Sequence, residues 1–253
     1  MSKEPLFVAF STQKGGIGKT VLTVLTASYL HYVKGYNVAV IDCDYPQHSI
    51  AELRERETGQ VMSDDYYKRL AYDQFKALNR NAYAVIESSP TEALSSAEEL
   101  IDDSDEPLDF IFFDLPGTMN SEGVIKTLSQ MDYIFAPMSA DRFVLESTLK
   151  YAVTINDNII TQGKGKIKGL HLIWNMVDGR ERSELYEVYD KIIAELGLQV
   201  LKTVLPDSKK FRREFTAGHK ALFRSTLFPA DKVLLKNSNL IEFIDEVESI
   251  LKA

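Results

Sequence analysis

The chain has 253 residues, 45% hydrophobic and 26% charged, with a net charge of −8. Those are ordinary globular values, with core enough to need no disulfide or metal staple; the single cysteine, Cys43, excludes an internal disulfide framework, and the acidity argues against a protein that coats nucleic acid with its whole surface. The opening "MSKEPLFVAF" is too short an apolar run for a signal peptide or membrane span, and no later run reaches spanning length, so a soluble, cytoplasmic protein is expected.

Taken in chain order, "LFVAFST" (6–12) has the length and apolarity of a buried strand. "GIGKTVLTVLTASYLHYVKG" follows with helical spacing: Val21, Leu22, Leu25, Tyr29, Leu30 and Val33 share one side, and Gly35 stops it. "NVAVIDCD" (37–44) is a second buried-type strand ending in carboxylates. The charged stretch from Ile50 to about Asn79 is expected to be helical. "AYAVIESS" (82–89) is a strand, and "SPTE" after it has the form of a capping box, with Ser89 as N-cap, Pro90 at the first helical position and Glu92 at N3. "FIFFD" (110–114) and "YIFAPMS" (133–139) are strands, the second leading into a helix through about Ile160. "LHLIWN" (170–175), a helix over roughly Ser183 to Leu196, the strand "VLKTVLP" (200–206) and an amphipathic C-terminal helix complete the chain. Apolar strands alternating with helices predict a mostly parallel, twisted α/β sheet with helices on both faces. Without a linker or repeat, residues 1–253 are expected to form one domain.

The most informative stretch is "STQKGGIGKT" (11–20). A strand, a glycine-rich turn and a helix opening on Lys-Thr is the P-loop arrangement. Gly15, Gly16 and Gly18 let backbone N–H groups converge, and the helix N-terminus adds its partial positive charge. Lys19 is placed to neutralise β- and γ-phosphate oxygens, and the Thr20 hydroxyl to ligate Mg²⁺. The dinucleotide fingerprint is disfavoured, because Val21 stands where it needs glycine. The usual P-loop spacing needs glycine at position 13, where this chain has Gln13, and it carries a second lysine, Lys14.

"KGGIGKT" resembles the deviant Walker A motif of the ParA/MinD-type P-loop ATPases, a family that includes nitrogenase iron protein. The resemblance runs from Phe7 to about the C-terminal helix. It implies an ATP-binding loop of Lys14, Gly15, Gly16, Ile17, Gly18, Lys19, Thr20 and Val21, with Lys14 reaching across an ATP-dependent homodimer to the partner's nucleotide. "VAVIDCDYPQHS" then matches the family's first switch: Asp44 is expected to position the attacking water, and Asp42 to act near Mg²⁺ or brace the P-loop. Tyr45, between Asp44 and Pro46, departs from the Asp-x-Asp-Pro-Gln of many relatives and shifts the register of Pro46, Gln47 and His48. "FIFFDLPG" fits a Walker B strand, with Asp114 holding Mg²⁺ through water and Gly117 as a hinge of the second switch. Asn175, Pro206 and Asp207 are carried over as adenine contacts. Met176 stands where a guanine-reading motif has lysine, which favours ATP over GTP. The four histidines show no metal-ligand spacing, and Trp174 is expected in the core.

Residues 199–236 hold nine Lys/Arg against three acids, an excess set on an otherwise acidic chain. The cations Lys202, Lys209, Lys210, Arg212, Arg213, Lys220, Arg224, Lys232 and Lys236 are either a solvated face or a phosphate-binding patch. Family relatives bind DNA through this part of the chain, so the resemblance implies non-specific DNA binding and a DNA-bound adaptor protein. The chain starts too close to its P-loop to carry the helix-turn-helix of larger partition proteins, and "DCDYPQHS" looks most like forms found on conjugative plasmids and transposons. A MinD-like membrane positioner is disfavoured, since Glu242, Asp245, Glu246 and Glu248 outnumber Lys252 in the last helix. An iron–sulfur carrier fails on one cysteine, and a tyrosine autokinase on the lack of a terminal tyrosine cluster. A dethiobiotin-synthetase-like ligase is the alternative from another class; Lys14 and the Asp-x-Asp pair argue against it.

Overall fold

The apolar runs become strands that pair only in parallel. The computed structural model describes residues 4–253 apart from 120, 181, 182 and 217. Among them, β1 (Leu6–Phe10), β2 (Val38–Asp42), β3 (Ala84–Glu87), β4 (Phe110–Asp114), β5 (Tyr133–Met138), β6 (Gly169–Trp174) and β7 (Gln199–Val200) form one sheet in the order β3-β2-β4-β1-β5-β6-β7. All five residues of β2 and of β4 are buried, as a sheet covered on both faces requires.

The strand period of two divides these runs into two cores. Val8, Phe10, Val40 and Phe112 pack against α1 (Lys19–Tyr32) and, at the C-terminus, α9 (Leu240–Leu251). Ala9, Ile41, Ile111 and Phe113 face the other way, toward α4 (Ala93–Asp103), α5 (Val124–Ser129), α6 (Arg142–Ile155) and α7 (Ser183–Glu195). Trp174 belongs to this second core, its indole N–H donating to Asp190 at 2.8 Å. Parallel pairing brings the C-terminal ends of β1, β2, β4 and β6 to one edge. There the chain order reverses around β1, the crevice where open α/β sheets bind ligands.

Local chemistry moves several expected boundaries. The helix expected from Ile50 to Asn79 is two, α2 (Ser49–Ser63) and α3 (Asp65–Leu78). Asp64 lies extended between them and caps α3 by accepting the Tyr66 N–H at 2.9 Å. Ser89 Oγ does accept the Glu92 N–H at 3.3 Å, but that bond closes a turn, and α4 starts only at Ala93. The Pro90 carbonyl, which a helix from that point would use, accepts the Thr127 hydroxyl instead, at 2.7 Å. The helix expected through Ile160 is α-helical to Ile155 and widens into a π turn over Asn156–Ile160. "VLKTVLP" gives only the two-residue β7: the Lys202 and Thr203 N–H groups go to the Glu246 carboxylate at 2.8 and 2.9 Å rather than to a ladder. Backbone pairing to β6 resumes at Leu205, whose N–H donates to Trp174 at 2.9 Å.

A buried polar network holds residues 225–228 against the first core. Ser28 and Tyr32 of α1 donate to the Ser225 and Thr226 carbonyls at 2.6 and 2.8 Å. Arg54 of α2 donates to both Thr226 oxygens and to the Tyr83 carbonyl, and Glu57 accepts the Thr226 N–H at 2.8 Å. Phe10 joins sheet to helix, its ring 5.6 Å from Phe135, 6.3 Å from Phe112 and 6.2 Å from Phe243 of α9. Phe10→Ala leaves a cavity there and is expected to lower stability by about 3–5 kcal/mol in urea unfolding; an unchanged midpoint would contradict this packing.

Candidate functional site

The loop after β1 turns sharply because Gly18 takes a φ of 94°, where a side chain is strained. Space forbids one as well: a Cβ on Gly18 would stand 2.8 Å from Asn175 Nδ2. That same amide donates to the Ile17 carbonyl at 2.8 Å, so Asn175, at the end of β6, braces the loop's last turn. The first N–H groups of α1 open onto this loop.

Lys19 folds back over the loop, its ammonium donating to the Lys14 carbonyl at 3.0 Å. Burial lowers its pKa, and the charges of Asp114 and Asp44 act in the opposite direction. The loop after β4 closes over it: a Cβ on Gly117 would come 3.1 Å from the Lys19 ammonium. Lys14 differs. Its side chain is half-buried and has no hydrogen-bond or ion-pair partner among the described residues.

Asp42 and Asp114 sit side by side at the ends of β2 and β4. Asp42 accepts the Ile50 and Ala51 N–H groups at 2.8 and 3.0 Å and the Asp44 N–H at 3.3 Å. Its bonds therefore brace the start of α2 and the first switch, with none to the P-loop. Asp44 is half-buried and its carboxylate is unbonded among the described residues, while its carbonyl accepts the Gln47 and His48 N–H groups, forming a tight turn around Tyr45. Tyr45 itself is 67% exposed.

Asp114 is 1% exposed. Oδ2 accepts the Thr20 hydroxyl at 2.8 Å, and Oδ1 is buried without a partner. Burial pushes its pKa up to about 7, with the Thr20 hydrogen bond and Lys19 opposing and Asp42 and Asp44 adding to the rise. A hydroxyl beside a carboxylate with an unused oxygen is a hard-oxygen set that fits Mg²⁺. No group of three His, Cys, Asp or Glu among the described residues could hold a metal unaided.

A slot of about 50 Å³ opens beside Gly18 and Val21, bounded by Asn175, Pro206 and Asp207. Two hydrogen bonds bring these segments together: Val177 N–H to Leu205, and Asp207 N–H to Val177. Leu22, Met176, Ser208, Phe211 and Arg212 complete its wall. Ser208 and Phe211 were not legible as site residues, since Phe211 lies within a basic run and reaches the slot only through the turn at Lys209–Arg212. Also unforeseen is Gln13, whose amide donates to Met119 Sδ at 3.0 Å and ties the P-loop to the second switch.

In the basic segment Lys202, Lys209, Arg212, Arg213, Lys220, Lys232 and Lys236 are exposed. Lys210 is half-buried and donates to the Lys236 carbonyl. Arg212 lines the nucleotide-side slot, and Arg224 is half-buried in an ion pair with Glu214. Lys220 and Lys232 line a separate groove.

Comparison with known proteins agrees with this geometry. The CobQ/CobB/MinD/ParA nucleotide binding domain matches residues 8–220. The chromosome-partitioning ATPase Soj of Thermus thermophilus is 25% identical over 207 residues, 79% of this chain and 80% of that one. A plasmid partition protein from Borrelia burgdorferi superposes with a TM-score of 0.60 at 16% identity, covering 99% of each chain. The pNOB8 ParA bound to nonspecific DNA superposes with a TM-score of 0.58 at 15% identity, over 98% of this chain and 99% of that one.

The raised pKa of Asp114 has a measurable consequence. An acid whose folded pKa lies near 7 disfavours folding once ionised, so its cost is absent below the unfolded value and complete above about pH 7. A shift of about three units corresponds to roughly 4 kcal/mol. With nucleotide absent and metal chelated, Asp114→Asn is expected to melt higher than the parent at about pH 8, with the difference shrinking toward about pH 5. A difference independent of pH would contradict it.

Proposed function

Because the chain belongs to the CobQ/CobB/MinD/ParA family of nucleotide-binding domains, we propose that it is a Mg²⁺-dependent ATPase working as a dimerisation switch in the partition or positioning of DNA. The observation that carries this reading is the unequal state of the two loop lysines. Lys19 is held over its own loop beside Asp114 and Asp44, whereas the Lys14 ammonium has no partner within its own chain among the described residues.

The backbone N–H groups of residues 15–20 and the N-terminus of α1 bind the phosphates, and Lys19 neutralises their charge in cis. The slot beside Val21 takes the adenine edge, with Asn175, Pro206 and Asp207 around it. Thr20 and Asp114 would hold Mg²⁺, and Asp42 fixes the first switch by capping α2. Bound magnesium would spread the charge that builds on the transferring phosphoryl group. Asp44 orients the attacking water. Lys14 enters the partner's nucleotide site when ATP closes the homodimer, and it adds positive charge where the transition state develops negative charge. Hydrolysis removes the bridging γ-phosphate, and the dimer opens.

In the closed dimer the exposed cations of the basic segment, Lys202, Lys209, Arg212, Arg213, Lys220, Lys232 and Lys236, bind DNA through its phosphates, without sequence preference. A DNA-bound adaptor stimulates turnover and release. The substrate element is a plasmid or conjugative element, in keeping with the "DCDYPQHS" form of the first switch. The reading is tested by DNA co-sedimentation of Asp44→Ala, which traps the ATP state. Pull-down is expected with ATP and not ADP, weakening steeply with salt as counterions are retained. ATP-dependent dimers with no DNA in the pellet would move the cargo to protein, and absence of dimers as well would favour a metabolic ATP-dependent ligase.

A further inference from the structure

A second cavity shares no residue with the P-loop. It is an open groove of about 650 Å³ between the end of α1, α3, the 219–231 segment, α8 (Lys232–Leu235) and α9. Its volume is that of a ligand site. Tyr29, Tyr67, Leu222 and Phe228 form an apolar floor, all under 9% exposed. The apolar surface continues out of the groove. Val33, Tyr66 and Leu70 at its mouth are 50%, 49% and 39% exposed, large side chains that folding leaves uncovered.

Lys220 and Lys232 both line the groove, exposed, and neither forms an ion pair among the described residues. The acids near them are engaged: Asp231 caps α8 by accepting the Val233 N–H at 2.9 Å, and Asp64 pairs with His219 at 2.9 Å. His219 in turn stacks on Tyr66 at 4.2 Å. On the α9 side Asp245 is paired with Lys34 at 2.6 Å, and Glu242 is exposed beyond the lining. Gln74, in the wall, donates to the Leu227 carbonyl at 2.8 Å. The lining itself therefore carries two unpaired lysines, Lys220 and Lys232, against one acid, Asp231.

We infer that this groove docks an acidic segment of a partner protein, with aromatic or leucine side chains seated on the floor and carboxylates against Lys220 and Lys232. The apolar mouth extends past what a small ligand would cover, which favours a peptide. Duplex DNA is the poorer occupant, because its phosphates gain nothing from Val33, Tyr66 and Leu70 and would lose water against them. The inference stands on the groove alone and does not depend on the nucleotide switch.

The test is fluorescence anisotropy on the whole protein. The probe is a fluorescein-labelled peptide with phenylalanine and leucine at i, i+3, i+4 and i+7 and glutamate elsewhere. Saturable binding at low salt is expected. Leu70→Glu, at an exposed position, should abolish it, and Lys220→Glu combined with Lys232→Glu should weaken it about tenfold. Unchanged melting temperatures would separate these effects from unfolding. Absence of saturable binding, equal affinity in all variants, or charge-reversal variants that lose DNA while keeping the peptide would overturn the inference.

Discussion

The hydrogen bond between Thr20 and Asp114 holds the site together. It ties the first turn of α1 to the end of β4 and gives a nearly inaccessible carboxylate its one partner among the described residues. A buried carboxylate with an unused oxygen is costly for folding alone. Such a group is retained where a ligand supplies what the fold withholds. Asp42, next to it on β2, satisfies its own oxygens with backbone N–H groups of α2 and the first switch. One acid of the pair is thus hydrogen-bonded to backbone and the other keeps an unpartnered oxygen, although both end buried strands.

The same division separates the lysines. Lys19 is fixed by the Lys14 carbonyl beneath it and by Gly117, whose missing side chain lets the second switch lie against it. Lys14 supplies a carbonyl to that arrangement and keeps its ammonium out of it. Gln13 joins the loop to Met119 of the second switch. The phosphate loop therefore meets the end of β4 and the segment after it through single, identifiable contacts.

Much of this was legible in the sequence because it depended on local pattern. β2 and β4 are continuous apolar runs, and parallel burial on both faces demands that. The glycines and Lys-Thr of the P-loop are read directly, since the backbone path that binds phosphate needs them. What was illegible depends on distant competition for backbone groups. "VLKTVLP" has strand composition, but Glu246, more than forty residues away, takes the N–H groups a ladder would use. The Ser89 capping box formed its bond and still did not start a helix, because Thr127 takes the Pro90 carbonyl. The basic run from Lys202 to Lys236 could be a solvated face or a phosphate-binding patch, and the fold pairs Arg224 with Glu214 and turns Lys210 onto the Lys236 carbonyl while leaving the other seven cations exposed. Charge counted along a chain does not reveal which cations folding has already paired.

The central claim is that Lys14 acts on its partner's nucleotide, and mixing two subunit variants tests it most directly. Lys14→Ala keeps its nucleotide site and lacks the donated cation. Lys19→Ala loses its own nucleotide site and keeps Lys14. Each alone should be inactive in ATP turnover. If Lys14 works across the dimer, mixing them restores turnover, because Lys19→Ala lends its Lys14 to the intact site of the other subunit. If mixtures at every ratio stay as inactive as the separate variants while light scattering detects the mixed dimers, Lys14 serves its own nucleotide and the account of the switch is wrong.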